Sequence, residues 1–349
     1  MKKGTVILCV LAVAAVGLLC AWNWFRDNRM PNFTKTAEIY VYPGIESDEV
    51  MSMIADKAGV RNRRSLERSF ESKSVGEYMQ PGHYTVSPSN SSVYVARMLN
   101  NGWQTPVKLT LSGNLRRKDN IAAKIASQML IDSATVRQAF NDEILLDRYG
   151  FTPKTAYSLF MPDTYDVYWT ASIEEILDTQ KAAWDAFWTE ENDAKAKALG
   201  MSRQDVSTLA SIVKGESNYE PEMPKIAGVY LNRLKVGMPL QADPTIAFCY
   251  NYTLNRILYI HLQVDSAYNT YKHTGLPPGP ICVPTKAALE AVLNPDFGGK
   301  WGEGNFYFCA NPDFSGTHVF AKTLSQHNIN ADAFRSELNR RAREKKNGN

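Results

Sequence analysis

An uninterrupted apolar run from Thr5 to about Phe25 constrains this chain more than any other feature. It is long enough to cross the hydrocarbon core of a bilayer as one helix, which takes about 20 residues. Lys2 and Lys3 precede it, Trp22 and Trp24 sit at its far end where amphipathic rings favour the headgroup region, and Arg26 and Arg29 follow. A cleaved signal peptide is the competing reading. The run is long for such a peptide, no small-x-small site follows it, and Cys20 is preceded by Leu18-Leu19 rather than by the small residue expected before a lipidated cysteine. A retained anchor is therefore expected. Residues 1–4 are read as cytoplasmic, 5–25 as transmembrane and 26–36, polar with Pro31, as a short tether to a region outside the cytoplasm.

The remaining length allows two or three domains. Hydrophobic residues at 44% and charged residues at 21% fit a folded protein and exclude bulk disorder. A net charge of +3 without a basic, aromatic-interleaved stripe argues against nucleic acid as a partner. The five His show no paired ligand spacing and there is no nucleophile-elbow motif, so neither a metal site, nor any cofactor, nor a serine or cysteine hydrolase is expected. Cys249, Cys282 and Cys309 form an odd set, readable as one disulfide plus a free thiol or as buried reduced thiols. Seven Trp and 17 Tyr suit a core, and also a ligand that offers flat faces, such as a sugar.

The pattern after the tether is α+β. Ile39 and Val41 alternate like a strand stopped by Pro43-Gly44, and Ser47 reads as the N-cap of a helix that turns Val50, Met53 and Ile54 inward. The order repeats with a strand at Tyr84 and Val86, a turn at Pro88 to Ser91 and a helix from Val93 to Leu99 that ends at Asn101-Gly102. A strand at 107–111 follows. In element order, residues 37–111 resemble the LysM-like module of cell-wall proteins. Residues 117–198 read as mainly helical: Ile121, Ile125 and Met129 mark one face, and Ile173, Ile176, Leu177, Trp184, Phe187 and Trp188 mark a longer helix running to near Gly200.

Within the second half, Leu209, Ile212, Val213 and Glu216 fall at i, i+3, i+4 and i+7 and share one helix face. The first three are a core stripe, and the fourth puts a carboxylate where a hydrophobe belongs. Burial there disfavours the charged form and raises the pKa, as a general acid needs. Gly215 beside it costs about 1 kcal/mol relative to Ala, which fits a close approach to the backbone. Ser202 with Asp205 opens this helix as a capping box, and Asp243-Pro244 reads as an N-cap followed by Pro at the first helical position. Thr285 to Leu293 is a further helix, and 306–310 with 318–321 form a hairpin. No second acid occupies the Glu216 helix face.

Rigid Pro- and Gly-flanked loops then offer amides, hydroxyls and phenols suited to sugar hydroxyls and N-acetyl groups. Taken together, Ala210-Ser-Ile-Val-Lys-Gly-Glu216, Ile226-Ala-Gly-Val-Tyr-Leu-Asn-Arg233, Gly237-Met-Pro-Leu-Gln-Ala-Asp-Pro-Thr245, Ala267-Tyr-Asn-Thr-Tyr271, Gly275-Leu-Pro-Pro-Gly-Pro280 and His318-Val-Phe320 resemble the signature of the endolytic murein transglycosylases, the YceG-like family. Leu159 to Tyr165 fits the family's upstream segment. The resemblance spans nearly the whole chain and is specific from about 159 to 328, within a catalytic region of 112–349. It implies a protein of the bacterial inner membrane, acting on the periplasmic side, that cuts nascent peptidoglycan strands internally between N-acetylmuramic acid and N-acetylglucosamine and leaves a 1,6-anhydro end. The strand and the membrane are then its partners, with peptidoglycan synthases as candidates.

By the same resemblance Glu216 is the catalytic carboxylate. Asn232, Gln241, Asp243, Tyr268, Asn269, Thr270, Tyr271 and His318 are candidates for holding the sugar, with a structural N-cap as the rival reading for Asp243 and a hairpin histidine for His318. Family members commonly carry a second Glu two positions earlier, where this chain has Lys214. A lytic enzyme needs only one carboxylate, because the muramic C6 hydroxyl is an intramolecular nucleophile, whereas a hydrolytic muramidase needs two. That muramidase and a membrane-tethered peptidoglycan-binding scaffold without turnover are the alternatives.

Overall fold

In the computed structural model, which describes residues 3–347, the apolar run forms one helix, α1 (Lys3–Arg29). Its Val6–Arg29 stretch is long and apolar enough to cross a membrane, and the most apolar part of it is not buried against the rest of the chain. Lys2, expected on the cytoplasmic side, lies outside the described residues.

The segment expected as a tether is not free. The helix continues to Arg29, and Asp27 near its end is buried and accepts from Arg68 Nε at 2.9 Å and Nη2 at 2.8 Å. Asn32 donates through Nδ2 to Ser92 Oγ at 2.7 Å, and Phe33 is fully buried. A polar stretch reads as linker by composition, yet here Asp27 and Asn32 have partners fixed by the fold.

The chain divides into two units, the first running to Leu109 and taking in 128–130 and 166–171, the second holding the rest. In the first, β1 (Ala37–Val41) pairs antiparallel with β2 (Gly82–Val86), with Ile39 opposite Tyr84. Between them run α2 (Ser47–Ile54), α3 (Arg63–Ser72) and α4 (Val75–Tyr78), and α5 (Ser92–Asn100) follows. Ile39, Ile54, Leu66, Tyr84, Val86 and Leu99 form the core. Ser47 is the first helical residue rather than the cap, since Glu46 precedes it and makes no side-chain cap bond. Helices α3 and α4 were not expected, because α3 is mostly charged and buries only Leu66, Phe70 and two serines.

Strand β3 (Val107–Thr110) pairs with β4 (Thr164–Val167). Helices α6 (Lys118–Ala126), α7 (Ser133–Ala139), α8 (Glu143–Asp147) and α9 (Ala156–Leu159) lie between them in sequence. The helix expected to reach Gly200 is two: α10 (Ile173–Phe187), opened by a Ser172–Glu175 capping box, and α11 (Glu190–Ala198), whose first turn Thr189 caps. Trp184 and Trp188 at the break are buried against each other, so they are core.

The heart of the second unit is α12 (Arg203–Glu216), α13 (Met223–Lys235), α14 (Asp243–Cys249) and α15 (Lys286–Leu293). Ser202 and Asp205 make the expected capping box on α12. Leu209, Ile212 and Val213 are fully buried, each contributing about 2 kcal/mol of transfer free energy. A Cβ on Gly215 would stand 2.5 Å from Pro244 Cβ, so the glycine admits the proline that opens α14. The antiparallel hairpin of β5 (Tyr307–Ala310) and β6 (His318–Ala321) places Phe308 opposite Phe320, and α16 (Leu324–Asn347) ends the described chain. Cys249, Cys282 and Cys309 are all unbridged.

Candidate active site

Glu216 is the last residue of α12, half-buried in the wall of a cavity of about 320 Å³. The cavity is also lined by Tyr230 and Arg233 of α13, Gln241 and Asp243, Tyr271, Tyr307 and Phe308 of the hairpin, and His327 of α16. Tyr230 donates its hydroxyl to Glu216 Oε1 at 2.6 Å, while Oε2 accepts no bond among the described residues. Desolvation pushes the Glu216 carboxyl up to about 7. The Tyr230 hydroxyl and the Arg233 guanidinium work against that rise, and the Asp243 charge adds to it.

Arg233 is buried, with Nε donating to Phe306 O at 2.7 Å, Nη1 to Leu240 O at 2.7 Å, and its guanidinium over the Tyr307 ring. It thus ties α13 to the hairpin and to the loop before α14. Tyr230 lies three residues earlier on the same helix face, edge-on to Phe308 at 5.8 Å.

Asp243 does not cap α14. Ala242 holds that position, and the Asp243 carboxylate instead accepts from the Tyr271 hydroxyl at 2.6 Å. The proline at the next position mimics a cap signature without needing one. The cavity therefore has a second carboxylate, supplied by α14 and not by the helix face of Glu216. Gln241 is exposed at the cavity with φ +49°, a conformation costly for a non-glycine residue. Its backbone N–H donates to Thr270 O at 3.0 Å.

Other candidates lie elsewhere. Asn232, one position from Arg233 and about 100° around the helix, is fully buried. Its Nδ2 donates to Phe297 O and Asn305 O at 3.1 and 2.8 Å, and Oδ1 accepts from Gly302 N at 2.8 Å, leaving nothing for a ligand. Asn269 is fully buried and bridges Leu262 O and Val264 O. Thr270 accepts from Ala242 N at 3.0 Å and meets Thr245 Oγ1 at 2.9 Å. These two residues shape the loops that carry Gln241 and Tyr271. Tyr268 packs on Phe248 with ring centroids 4.6 Å apart and does not line the cavity. His318 is held by Glu222, which accepts from its backbone N at 2.7 Å and faces Nδ1 at 2.7 Å, as a hairpin histidine would be.

The YceG-like family model matches residues 39–333 of the 349. The chain belongs to that family. It is similar to an endolytic murein transglycosylase of Bacillus subtilis, 32% identical over 229 residues, which covers 64% of this chain and 59% of the relative. It is also similar to one of Streptococcus pneumoniae, 26% identical over 367 aligned positions covering 95% and 65%. The chain thus spans less than two thirds of the length of these curated relatives. A crystal structure of a yceG-like protein from Listeria monocytogenes aligns with TM-score 0.55 at 26% identity, over 84% of this chain and 98% of that one.

Within this YceG-like protein the residues not singled out from sequence are Tyr230, Arg233, Tyr307, Phe308 and His327. For the first two a signal existed, since their i, i+3 spacing puts them on one face and turns Asn232 off it. For the hairpin aromatics and His327 no local pattern pointed to a site, because only the tertiary fold brings β5 and α16 to α12.

Proposed function

We propose that this protein is a membrane-anchored endolytic lytic transglycosylase that cleaves peptidoglycan strands between N-acetylmuramic acid and N-acetylglucosamine. The observation that carries the reading is Glu216: half-buried, held by Tyr230 through one oxygen, with the other unbonded and a pKa of about 7. Such a group holds a proton near neutral pH and can also take one back. Family membership and the names of the relatives support the same chemistry.

In the proposed step, protonated Glu216 donates to the bridging oxygen as the C1–O bond breaks and an oxocarbenium-like centre forms. The muramic C6 oxygen then attacks C1, and Glu216 accepts the C6 hydroxyl proton. The C1–O6 bond closes a 1,6-anhydro ring and no water is consumed. Gln241, Tyr271 and Asp243 are the candidates for orienting the sugar, with Tyr307 and Phe308 offering ring faces. The α1 helix would hold the enzyme in the inner membrane with the second unit on the periplasmic side, and the first unit, whose antiparallel strands β1 and β2 are joined through α2, α3 and α4, would serve as a LysM-like module. Peptidoglycan synthases are proposed partners.

One observation favours a second reading. Asp243 lines the same cavity, so two carboxylates are present, as a hydrolytic muramidase requires. Digestion of purified glycan strands, read by mass spectrometry, decides the matter. Ends lighter by one water are expected. Hydrated ends would establish the muramidase, and binding without products in wild type would sink both enzymatic readings in favour of a scaffold.

A further inference from the structure

Lys214 is left unexplained by the cleft. It precedes Glu216 by two positions, about 200° around α12, and so projects to the opposite side. There it lines a second hollow of about 360 Å³ with Asn114, Arg116, Asn218, Cys282 and Thr285. No Asp or Glu lines this hollow. Lys214 Nζ donates to the neutral Asn218 Oδ1 at 2.6 Å, and the Arg116 guanidinium lies 5.7 Å from the Tyr252 ring centroid, so neither cation has an acidic partner among the described residues. Some cations of the same unit, Lys181, Lys195 and Arg203, pair with Asp185, Glu191 and Asp193, while Lys118 is spent on carbonyl oxygens and Lys235 sits over the Trp301 ring. Lys214 and Arg116 differ from these in sharing one hollow.

The hollow is also pre-formed. Leu115 O accepts from Val283 N at 3.1 Å and Arg116 O from the Tyr157 hydroxyl at 3.2 Å, which pins the loop carrying Arg116. Buried Cys282 has its thiol pushed up to about 12 by desolvation, so it stays neutral and leaves the positive charge uncancelled. Two cations, two amides and a hydroxyl around a fixed concavity are donors for an oxyanion.

Given the proposed substrate, the oxyanions available are the carboxylates of the peptide stems and the pyrophosphate of a lipid-linked strand end. An α-helix with side chains is about 10–12 Å across, and an extended peptide covers about 3.3 Å per residue. A stem of four or five residues leaving a muramic residue beside Glu216 therefore reaches around α12, whereas an internal cut lies far from the strand end. We propose that the hollow of Lys214 and Arg116 is a subsite for a stem-peptide carboxylate, making the enzyme selective for peptide-bearing strands. This inference rests on the transglycosylase reading for the identity of its ligand.

The test uses the full chain in detergent micelles. Calorimetric titration with a free stem tetrapeptide is compared for wild type, Lys214→Ala, Arg116→Ala and Lys214→Arg, with inorganic pyrophosphate as the second ligand. Binding about tenfold weaker in each alanine variant and retained in Lys214→Arg is expected, as is a KM raised about tenfold for peptide-bearing strands but not for strands stripped of peptides. Equal peptide affinity in all four proteins, or none in wild type, would overturn the proposal. Lys214-dependent binding of pyrophosphate alone would assign the hollow to the lipid-linked end and also overturn it. Absence of turnover with peptide binding intact would break the proposed function and leave the subsite standing.

Discussion

Two polar networks meet on neighbouring faces of α13, and they differ in what they leave over. On one face Tyr230 and Arg233 look toward Glu216, whose Oε2 accepts no bond from the described residues. On the other, Asn232 spends both amide hydrogens and its carbonyl on the backbone of 297–305. Residue types alone do not separate them, since an Asn is as good a sugar ligand as a Tyr. Unspent hydrogen-bonding capacity beside a cavity does. The first network is built to do something, the second to hold something.

The largest expected effect is on the first. Glu216→Gln keeps the shape and a hydrogen-bond acceptor for Tyr230 but removes the transferable proton, so turnover should fall about 10³-fold with strand binding retained. Anhydro products released at a wild-type rate would break the assignment of Glu216 and with it the contrast.

Much of this contrast could be read in advance from α12 and little of it from α13. On α12 the apolar stripe ends in a carboxylate, the period is regular, and burial of Leu209, Ile212 and Val213 fixes where Glu216 points. Gly215 likewise reported a close neighbour, Pro244. On α13 both faces are buried, so periodicity does not say which polar residue faces a cavity and points to Asn232 no less than to Tyr230. Asp243 was obscured differently. Asp-Pro is a cap signature by local physics, and only the placement of Tyr271 turns its carboxylate toward the site. The helix break at Trp188 and helix α3 between β1 and β2 carry no readable apolar period, because so much of their surface is charged.

The two networks should also respond differently to pH. The Glu216 carboxyl rises from 4.5 to about 7 on folding, so between those values the unfolded chain is ionised while the folded one keeps its proton. The stability this contributes is fully present below pH 4.5 and is lost as pH rises through 7. At 1.36 kcal/mol per pH unit the loss is at most about 3 kcal/mol. Denaturant midpoints of wild type and Glu216→Gln across pH 5 to 8 check it. The variant should lack this loss and be the more stable protein at pH 8, and parallel curves would show that Glu216 titrates as an ordinary surface acid.

Asn232→Ala should do the reverse. Three backbone groups lose their partner, costing about 2 kcal/mol of stability at any pH, with the alkaline limit of activity unmoved in the protein that remains folded. Calorimetric melting beside a pH–rate profile separates these outcomes. A shifted profile without a lowered melting temperature would place Asn232 in the active site after all.

The smallest effect is the most discriminating. Tyr230→Phe leaves the ring edge-on to Phe308 and removes only the hydroxyl that donates to Glu216 Oε1. That bond favours the ionised carboxylate, so its loss should let Glu216 hold its proton to higher pH. The alkaline limb of kcat/KM should therefore move upward, with the rate at pH 6 lowered less than tenfold. An unmoved limb would mean that the hydroxyl does not bond the ionised acid. Tyr230 would then belong with Asn232, as a residue that holds the fold rather than one that sets the proton.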